Sequence, residues 1–260
     1  MTATIGQAAL LLAAVSALGA LLPLHRRWSE RGLHVFVAIA TGVFLGTIFL
    51  HLLPELAAAT ARDADTDAGG SSGHAVALLP WWAALVGLVL LFVLEKVWLG
   101  RRRRGDGARG DPHDVVCFAT FIGLSVHSFV TGLGFSGVVT EPALLWPLVT
   151  SVAVHKAGEG FSLATVMRLA HLPTPRALAL LAVFCIATPV GLLIGAQLAT
   201  GDSAARVTPL LTGLACGTFL YVAVADLLPE VFHGARDGAP RIVGLLVGIG
   251  VAAVGFAGIG

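Results

Sequence analysis

The chain has 260 residues, of which 57% are hydrophobic and only 12% are charged, and its formal net charge is +1. Soluble domains carry about 25% charged residues, and a soluble fold of this size cannot bury so much apolar surface. The composition therefore indicates an integral membrane protein, and the small net charge argues against a nucleic-acid partner.

Apolar runs long enough to cross a bilayer, which takes roughly 20 residues, recur along the whole chain. The first run has no basic segment before it and is followed by further runs, so we interpret it as a retained helix rather than a signal peptide. We predict an all-α integral membrane fold in a single transmembrane domain, 1–260. Its eight transmembrane helices are expected at approximately 5–24, 34–58, 75–99, 115–139, 143–169, 177–198, 207–232 and 242–259.

The basic residues give the orientation, because Lys and Arg accumulate in cytoplasmic loops. Most of the 16 basic residues lie in or beside the loops after predicted helices 1, 3, 5 and 7. An even number of helices then places both termini outside the cytoplasm. The run 101–104 of four arginines could also be a nucleic-acid or lipid patch. The residues on this side are Arg26, Arg27, Arg31, Lys96, Arg101, Arg102, Arg103, Arg104, Arg109, Arg168, Arg176, Arg236 and Arg241.

An internal repeat joins predicted helices 2 and 7. Residues 40–55 align without gaps to residues 215–230, half of the aligned positions are identical, and both copies end in Leu-Leu-Pro-Glu. Predicted helices 2 and 7 cross in opposite directions, so helices 1–3 and 6–8 form an inverted repeat around helices 4 and 5. Inverted repeats are the build of many secondary transporters, whose substrate site lies near the midplane.

Predicted helices 4 and 5 carry polar residues near their centres, where charged groups are costly and usually functional. His155 and Glu159 are four residues apart and share a helix face, as do His127 and Thr131 on the neighbouring helix. If the two faces oppose each other, two imidazoles and a carboxylate converge near the midplane. This ligand set suits zinc, although imidazole also suits iron, nickel and copper.

A structural alternative exists for each of these residues. A single His in an apolar helix is usually a hydrogen-bonded packing residue. Lys156 and Glu159 are three residues apart and could form a purely structural ion pair. Their common depth on adjacent helices favours the functional interpretation.

Polar residues also mark both ends of a path through the bilayer. Thr47, His51 and Glu55 lie four residues apart at the outer end of predicted helix 2, and we interpret them as an entrance. Asp226, Glu230 and His233 lie at the inner end of predicted helix 7 and are interpreted as an exit. Oxygen and imidazole ligands at both ends fit a cation path.

Together these motifs resemble the ZIP (Zrt/Irt-like protein) family of divalent metal transporters, over essentially the whole chain. The most specific parts are His127-Ser128 with Gly132, and His155-Lys156 with Glu159-Gly160. The resemblance implies a transporter domain with His127, His155 and Glu159 as primary metal ligands. It also implies movement of zinc, iron, manganese or cadmium toward the cytoplasm, with the metal as substrate and without a cofactor.

The sequence departs from the family pattern at the second-site positions Ser128, Thr131 and Lys156. Many relatives have an acidic residue at the position of Thr131. Relatives with two metals have a carboxylate or amide at that of Lys156 and Asn at that of Ser128. Because a cation at Lys156 repels a second metal, we expect one central metal, with the ammonium group taking the place of the second.

Two other functions remain open from the residues alone. A membrane-embedded zinc hydrolase also buries His and acidic ligands, but the chain has no His-Glu-x-x-His motif. A structural or sensor protein would not need polar groups at both ends of the path. We expect no enzymatic activity, a location in the plasma (inner) membrane, and divalent metal ions and the lipid bilayer as partners. A homodimer is compatible with the sequence.

Overall fold

A computed structural model describes residues 2–25, 28–66, 77–99, 112–135, 142–198, 202–232 and 238–257 of the chain. These residues form eight helices and no strands, which confirms the predicted all-α fold. The helices are α1 (Thr2–His25), α2 (Glu30–Thr47, a π-helical turn Ile48–Leu52, and Leu53–Thr66), α3 (Leu79–Val93 and a π-helical turn Leu94–Leu99), α4 (Pro112–Gly134), α5 (Pro142–Leu169), α6 (Thr174–Leu198), α7 (Asp202–Tyr221, a π-helical turn Val222–Leu227, and Leu228–Phe232) and α8 (Ala239–Ala257).

Two predicted helix ends were wrong because apolar runs detect only the hydrophobic part of a helix. α2 continues to Thr66, beyond the predicted end at 58, because the alanine-rich segment Leu53–Thr66 consists largely of helix-forming residues. α7 begins at Asp202, before the predicted start at 207, in a polar first turn. α3 begins at Leu79, with Pro80 in its first turn, and the predicted start at 75 lies outside the described residues. The predicted end of helix 4 at 139 lies outside the described residues.

The two copies of the repeat share a backbone irregularity. Residues 48–52 align with residues 223–227, and each segment lies in a π-helical turn just before the proline of Leu-Leu-Pro-Glu. A proline inside a helix lacks the N–H that should bond the carbonyl four residues earlier, and a π-bulge is one way to accommodate the gap. The same local structure thus recurs just before Pro54 and Pro229, at equivalent places of the two copies.

The helices pack closely as four pairs: α1 with α5, α4 with α6, α2 with α8, and α3 with α7. Exchanging α1 with α6, α2 with α7, α3 with α8 and α4 with α5 maps this set of pairs onto itself, as the predicted repeat requires. The pairing is compatible with the inverted repeat, which stays a prediction.

Glycines let the paired helices approach each other. A Cβ atom on Gly132 of α4 would collide with the carbonyl of Thr188, and one on Gly191 of α6 would collide with that of Phe129. Gly42 and Gly248 make the same reciprocal contact between α2 and α8. Small residues at the contact are typical of membrane helix pairs.

The outer surface of the bundle is strongly apolar. Large hydrophobic side chains are exposed on α1, α3 and α8, and Leu10 is 71%, Trp82 60% and Val254 78% exposed. Among the described residues, six helices are long and apolar enough to cross a membrane. α8 has a shorter apolar stretch, Ala239–Gly255, and α5 carries the polar residues described below. The exterior is that of a protein embedded in hydrocarbon.

Candidate metal site

The polar residues predicted on the two central helices meet at one point of the structure. Nε2 of His127, on α4, is 3.6 Å from Oε1 of Glu159, on α5. Nε2 of His155 is 3.8 Å from the same oxygen. One ligand atom from each residue lies within 4.8 Å of the others. Three potential ligands around one small volume, two of them imidazoles, form a set suited to a transition metal.

Burial makes the cluster chemically unusual. His127 is 1%, His155 4% and Glu159 0% exposed. Among the described residues, Oε1 of Glu159 accepts no hydrogen bond, and Nδ1 of His155 has no partner. An unsatisfied buried carboxylate oxygen is costly, and a cation placed between it and the imidazoles would remove that cost.

The ring of His127 is held in one orientation by α7. Its Nδ1 lies 2.9 Å from the carbonyl oxygen of Ala215, and because a carbonyl can only accept, this nitrogen carries the proton. The lone pair of the neutral ring is then on Nε2, which faces Glu159. The hydroxyl of Thr131 lies 3.3 Å from the same Nε2. Such a backbone contact is a common way to fix the tautomer of a metal-binding histidine.

The two oxygens of Glu159 have different partners. Oε2 accepts hydrogen bonds from Nζ of Lys156 at 2.5 Å and from the hydroxyl of Ser128 at 3.1 Å, and Lys156 also donates to Ser128 at 2.7 Å. Oε1 is the oxygen that faces the two histidines. Lys156 is 0% exposed, and its ammonium group lies 5.5 Å from the ring centre of Phe184. The carboxylate thus uses one oxygen for the buried lysine and presents the other to the cluster.

A cavity of about 120 Å³ leads to the cluster from one end of the bundle. This volume is enough for several water molecules. At its inner part the cavity reaches His127, Thr131 and His155, and at its mouth it is lined by His51 and Glu55. The remaining lining residues are Leu52, Val130, Gly134, Phe135, Leu148, Val152, Thr208, Leu211, Thr212 and Ala215.

Two of the three predicted entrance residues line this cavity, and the third does not. Nε2 of His51 lies 3.8 Å from Oε2 of Glu55, and the Glu55 side chain is 44% exposed. Thr47 is fully buried and is absent from the cavity wall. The entrance role of all three residues stays a prediction.

Two of the three predicted exit residues, Asp226 and Glu230, lie at the other end of α7 and are buried. Asp226 and Glu230 are each 4% exposed. Oε1 of Glu230 lies 3.7 Å from Nε2 of His34 on α2. Asp226 lies beside Glu95 of α3, and Glu95 also accepts a hydrogen bond from Tyr221. His233 lies outside the described residues.

Sequence reasoning missed several of these neighbours. His34 and the carbonyl of Ala215 have no motif that marks them. Glu95 stands next to Lys96 in the sequence, and its Oε1 lies 2.5 Å from Nζ of Lys96. The ring centre of Phe219 lies 4.2 Å from that of His127. A sequence signal does mark this residue, because Phe219 aligns with Phe44 in the repeat.

Fold and site together define a polytopic membrane protein with a buried cluster of two histidines and a glutamate beside a cavity. The sequence model of the ZIP zinc transporter family matches residues 2–114 and 100–255. The chain belongs to this family. Because ZIP proteins are transporters, the hydrolase alternative is set aside, and the protein is not an enzyme.

Individual relatives agree with this assignment. The chain is 32% identical to zinc transporter ZIP1 of Takifugu rubripes over 147 residues, which are 54% of this chain and 47% of that protein. It is 30% identical to the chloroplastic Fe(2+) transport protein 3 of Arabidopsis thaliana over 132 residues, 49% of this chain and 31% of that protein. It is 24% identical to zinc transporter ZIP1 of Homo sapiens over 254 residues, 84% of this chain and 76% of that protein. The match to the Takifugu rubripes protein thus spans about half of that relative's length.

Proposed function

We propose that this protein transports divalent transition metal ions across a membrane, with zinc as the main cargo and iron, manganese or cadmium as the alternatives. The observation that carries the proposal is the convergence of His127, His155 and Glu159 beside the cavity, which His127 and His155 line. Relatives named as zinc and iron transporters support the class of cargo.

The donor set argues for a transition metal rather than calcium or magnesium. Those hard cations prefer six or more oxygen ligands or several retained waters, whereas the cluster offers two imidazole nitrogens and one carboxylate oxygen. Zinc accepts nitrogen and oxygen ligands in a four-coordinate site. The hydroxyl of Thr131, next to Nε2 of His127, or a water from the cavity would complete the set.

We propose that the site binds one metal ion at a time. In this chain Oε2 of Glu159 is already engaged by Lys156 and Ser128. A second cation on that side would lie beside a buried ammonium group, which would repel it. The lysine therefore occupies the place of a second metal, and the single free oxygen keeps the affinity low enough for release, as conduction requires.

The route and its direction follow from the cavity and the loop charges. The cavity opens beside His51 and Glu55, at the end that the basic loop residues place outside the cytoplasm. We propose entry there and release beside Asp226 and Glu230. Transport is then toward the cytoplasm, in the plasma (inner) membrane, with both termini outside. A single transmembrane transporter domain over 1–260 and a homodimeric assembly belong to the same proposal.

Zinc uptake into proteoliposomes that contain a metal-sensitive dye tests the function. The native protein should give saturable uptake, and His155→Ala should reduce it to the level of empty vesicles because one of two imidazole ligands is lost. His171→Ala is the matched control, since His171 is exposed in the turn between α5 and α6, and it should transport normally. Native-rate uptake by His155→Ala would place the essential site elsewhere, and no uptake of any of the four metals by native protein would refute the function.

A further inference from the structure

Two phenylalanines at equivalent positions of the repeat meet in the centre of the bundle. Phe44 on α2 aligns with Phe219 on α7, and their ring centres lie 4.6 Å apart with an interplanar angle of 47°. Both side chains are fully buried. Contact between repeat-related residues means that the two halves of the protein touch each other at this point.

The same aromatic pair lies directly against the ligand cluster. The ring of Phe219 stacks on that of His127, with 4.2 Å between centres and 13° between planes. It lies 6.2 Å from the ring centre of His155. The carbonyl oxygen of Ala215, one turn earlier on α7, lies 2.9 Å from Nδ1 of His127. Helix α7 therefore contacts both the edge and the face of the His127 ring.

The position of the pair along α7 is between the cavity and the opposite end of the bundle. Ala215 lines the cavity, whereas neither Phe44 nor Phe219 does. Phe219 is four residues further along the helix, or about 6 Å at 1.5 Å per residue. Asp226 follows seven residues later, about 10 Å beyond Phe219. The rings therefore lie after the metal cluster and before the buried acidic residues.

We propose that Phe44 and Phe219 form an aromatic barrier that closes the route from the ligand cluster to the Asp226 end, and that Phe219 is also a positioning residue for His127. The inference rests on the proposed function. An ion at Oε1 of Glu159 can reach Asp226 only when Phe219 leaves the face of His127 or the two rings separate. When Phe219 leaves that face, His127 loses one of its two contacts with α7, so release by this route loosens one of the metal ligands.

Thiol labelling tests the barrier without depending on transport. Ala223 is fully buried, one turn beyond Phe219, and Thr212 lines the cavity. Ala223→Cys and Thr212→Cys are made in a chain whose three cysteines, Cys117, Cys185 and Cys216, are replaced. Metal-free vesicles are then exposed, on the side where the cavity opens, to a membrane-impermeant charged thiol reagent.

Thr212→Cys should react rapidly in every background, and Ala223→Cys slowly. Adding Phe44→Ala and Phe219→Ala should accelerate labelling of Ala223→Cys by at least about tenfold, because the route past the cluster opens. If the double alanine variant does not elute as a single species in size-exclusion chromatography, the double variant Phe44→Val with Phe219→Val replaces it, because valine keeps more side-chain volume. Equal labelling of Ala223→Cys with and without the two rings would overturn the barrier.

The positioning role has its own measurement. Phe219→Leu keeps an apolar side chain of similar volume but removes the flat face against which His127 rests. We expect it to raise the KM for zinc about three- to tenfold without faster labelling of Ala223→Cys. An unchanged KM would overturn the positioning role. If native protein moved no metal, the proposed function would fail while the labelling result still decided the barrier.

Discussion

Removing the charge of Lys156 should tighten metal binding. In the native protein the ammonium group is fully buried and 2.5 Å from Oε2 of Glu159, so it supplies the positive charge that this carboxylate needs. In Lys156→Met the chain keeps most of the side-chain volume, but Glu159 becomes a buried anion without a counter-charge. A proton or a divalent ion at Oε1 can then neutralise it, and the ion no longer has to compete with the ammonium group for the carboxylate.

The magnitude follows from the cost of an unpaired buried charge. Removing one partner of a buried ion pair costs about 3–5 kcal/mol. If a bound metal relieves about 2 kcal/mol of this cost, the Kd falls about 30-fold, since 1.4 kcal/mol corresponds to tenfold. The metal-free variant should also unfold at a lower temperature than native protein. Zinc should raise that temperature toward the native value, because it binds only the folded state.

Dye competition on purified protein measures the Kd, and metal analysis after desalting measures the number of ions bound. Lys96→Met is the matched control, because Lys96 is the other lysine of the chain and its side chain is 55% exposed. It should leave the Kd unchanged. Lys156→Asp should bind two central ions where native protein binds one, because the new carboxylate supplies an oxygen ligand. Two central ions in native protein, or an unchanged Kd in Lys156→Met, would refute the reasoning.

Two further predictions concern the ends of the path and the packing around the site. His51→Ala and Asp226→Ala should each lower the zinc uptake rate about two- to tenfold without abolishing it, because neither residue belongs to the central ligand set. Complete loss in one of them would move the essential site to that end. Gly132→Leu should prevent α4 from packing on α6, because its side chain would overlap the carbonyl of Thr188. A loss of the single species in size-exclusion chromatography would show this, and Gly134→Ala, where a Cβ meets no neighbour within 4 Å, is the control.

Hydrophobic runs and motif spacing predicted most of the helices and the central cluster. His155 and Glu159 are four residues apart on one helix, so their common face follows from helix geometry alone. The contact with His127 needed only the further assumption that α4 and α5 oppose each other. The extension of α2 to Thr66 was missed because it depends on helix propensity rather than on hydropathy.

The finer arrangement of the site depends on tertiary contacts that no local pattern contains. Oε2 of Glu159 binds Lys156 and Ser128, whereas Oε1 faces the two histidines. This difference is set by the rotamers of Lys156 and Ser128. The orientation of His127 is set by a carbonyl 88 residues away. The backbone irregularity of α2 and α7, in contrast, falls at equivalent places of the two copies of the repeat.

The internal repeat has a consequence for the conformations available to this chain. Glu55 and Glu230 occupy equivalent positions of the two copies, yet the side chain of Glu55 is 44% exposed and that of Glu230 is 4% exposed. The two copies of the repeat are thus similar in sequence, but their equivalent glutamates differ in solvent exposure. If the two halves exchanged their packing, as the predicted inverted repeat allows, Glu230 would become hydrated and Glu55 buried. We therefore expect a second state of this kind, whose population depends on positions where the copies differ, such as His51 and Asp226.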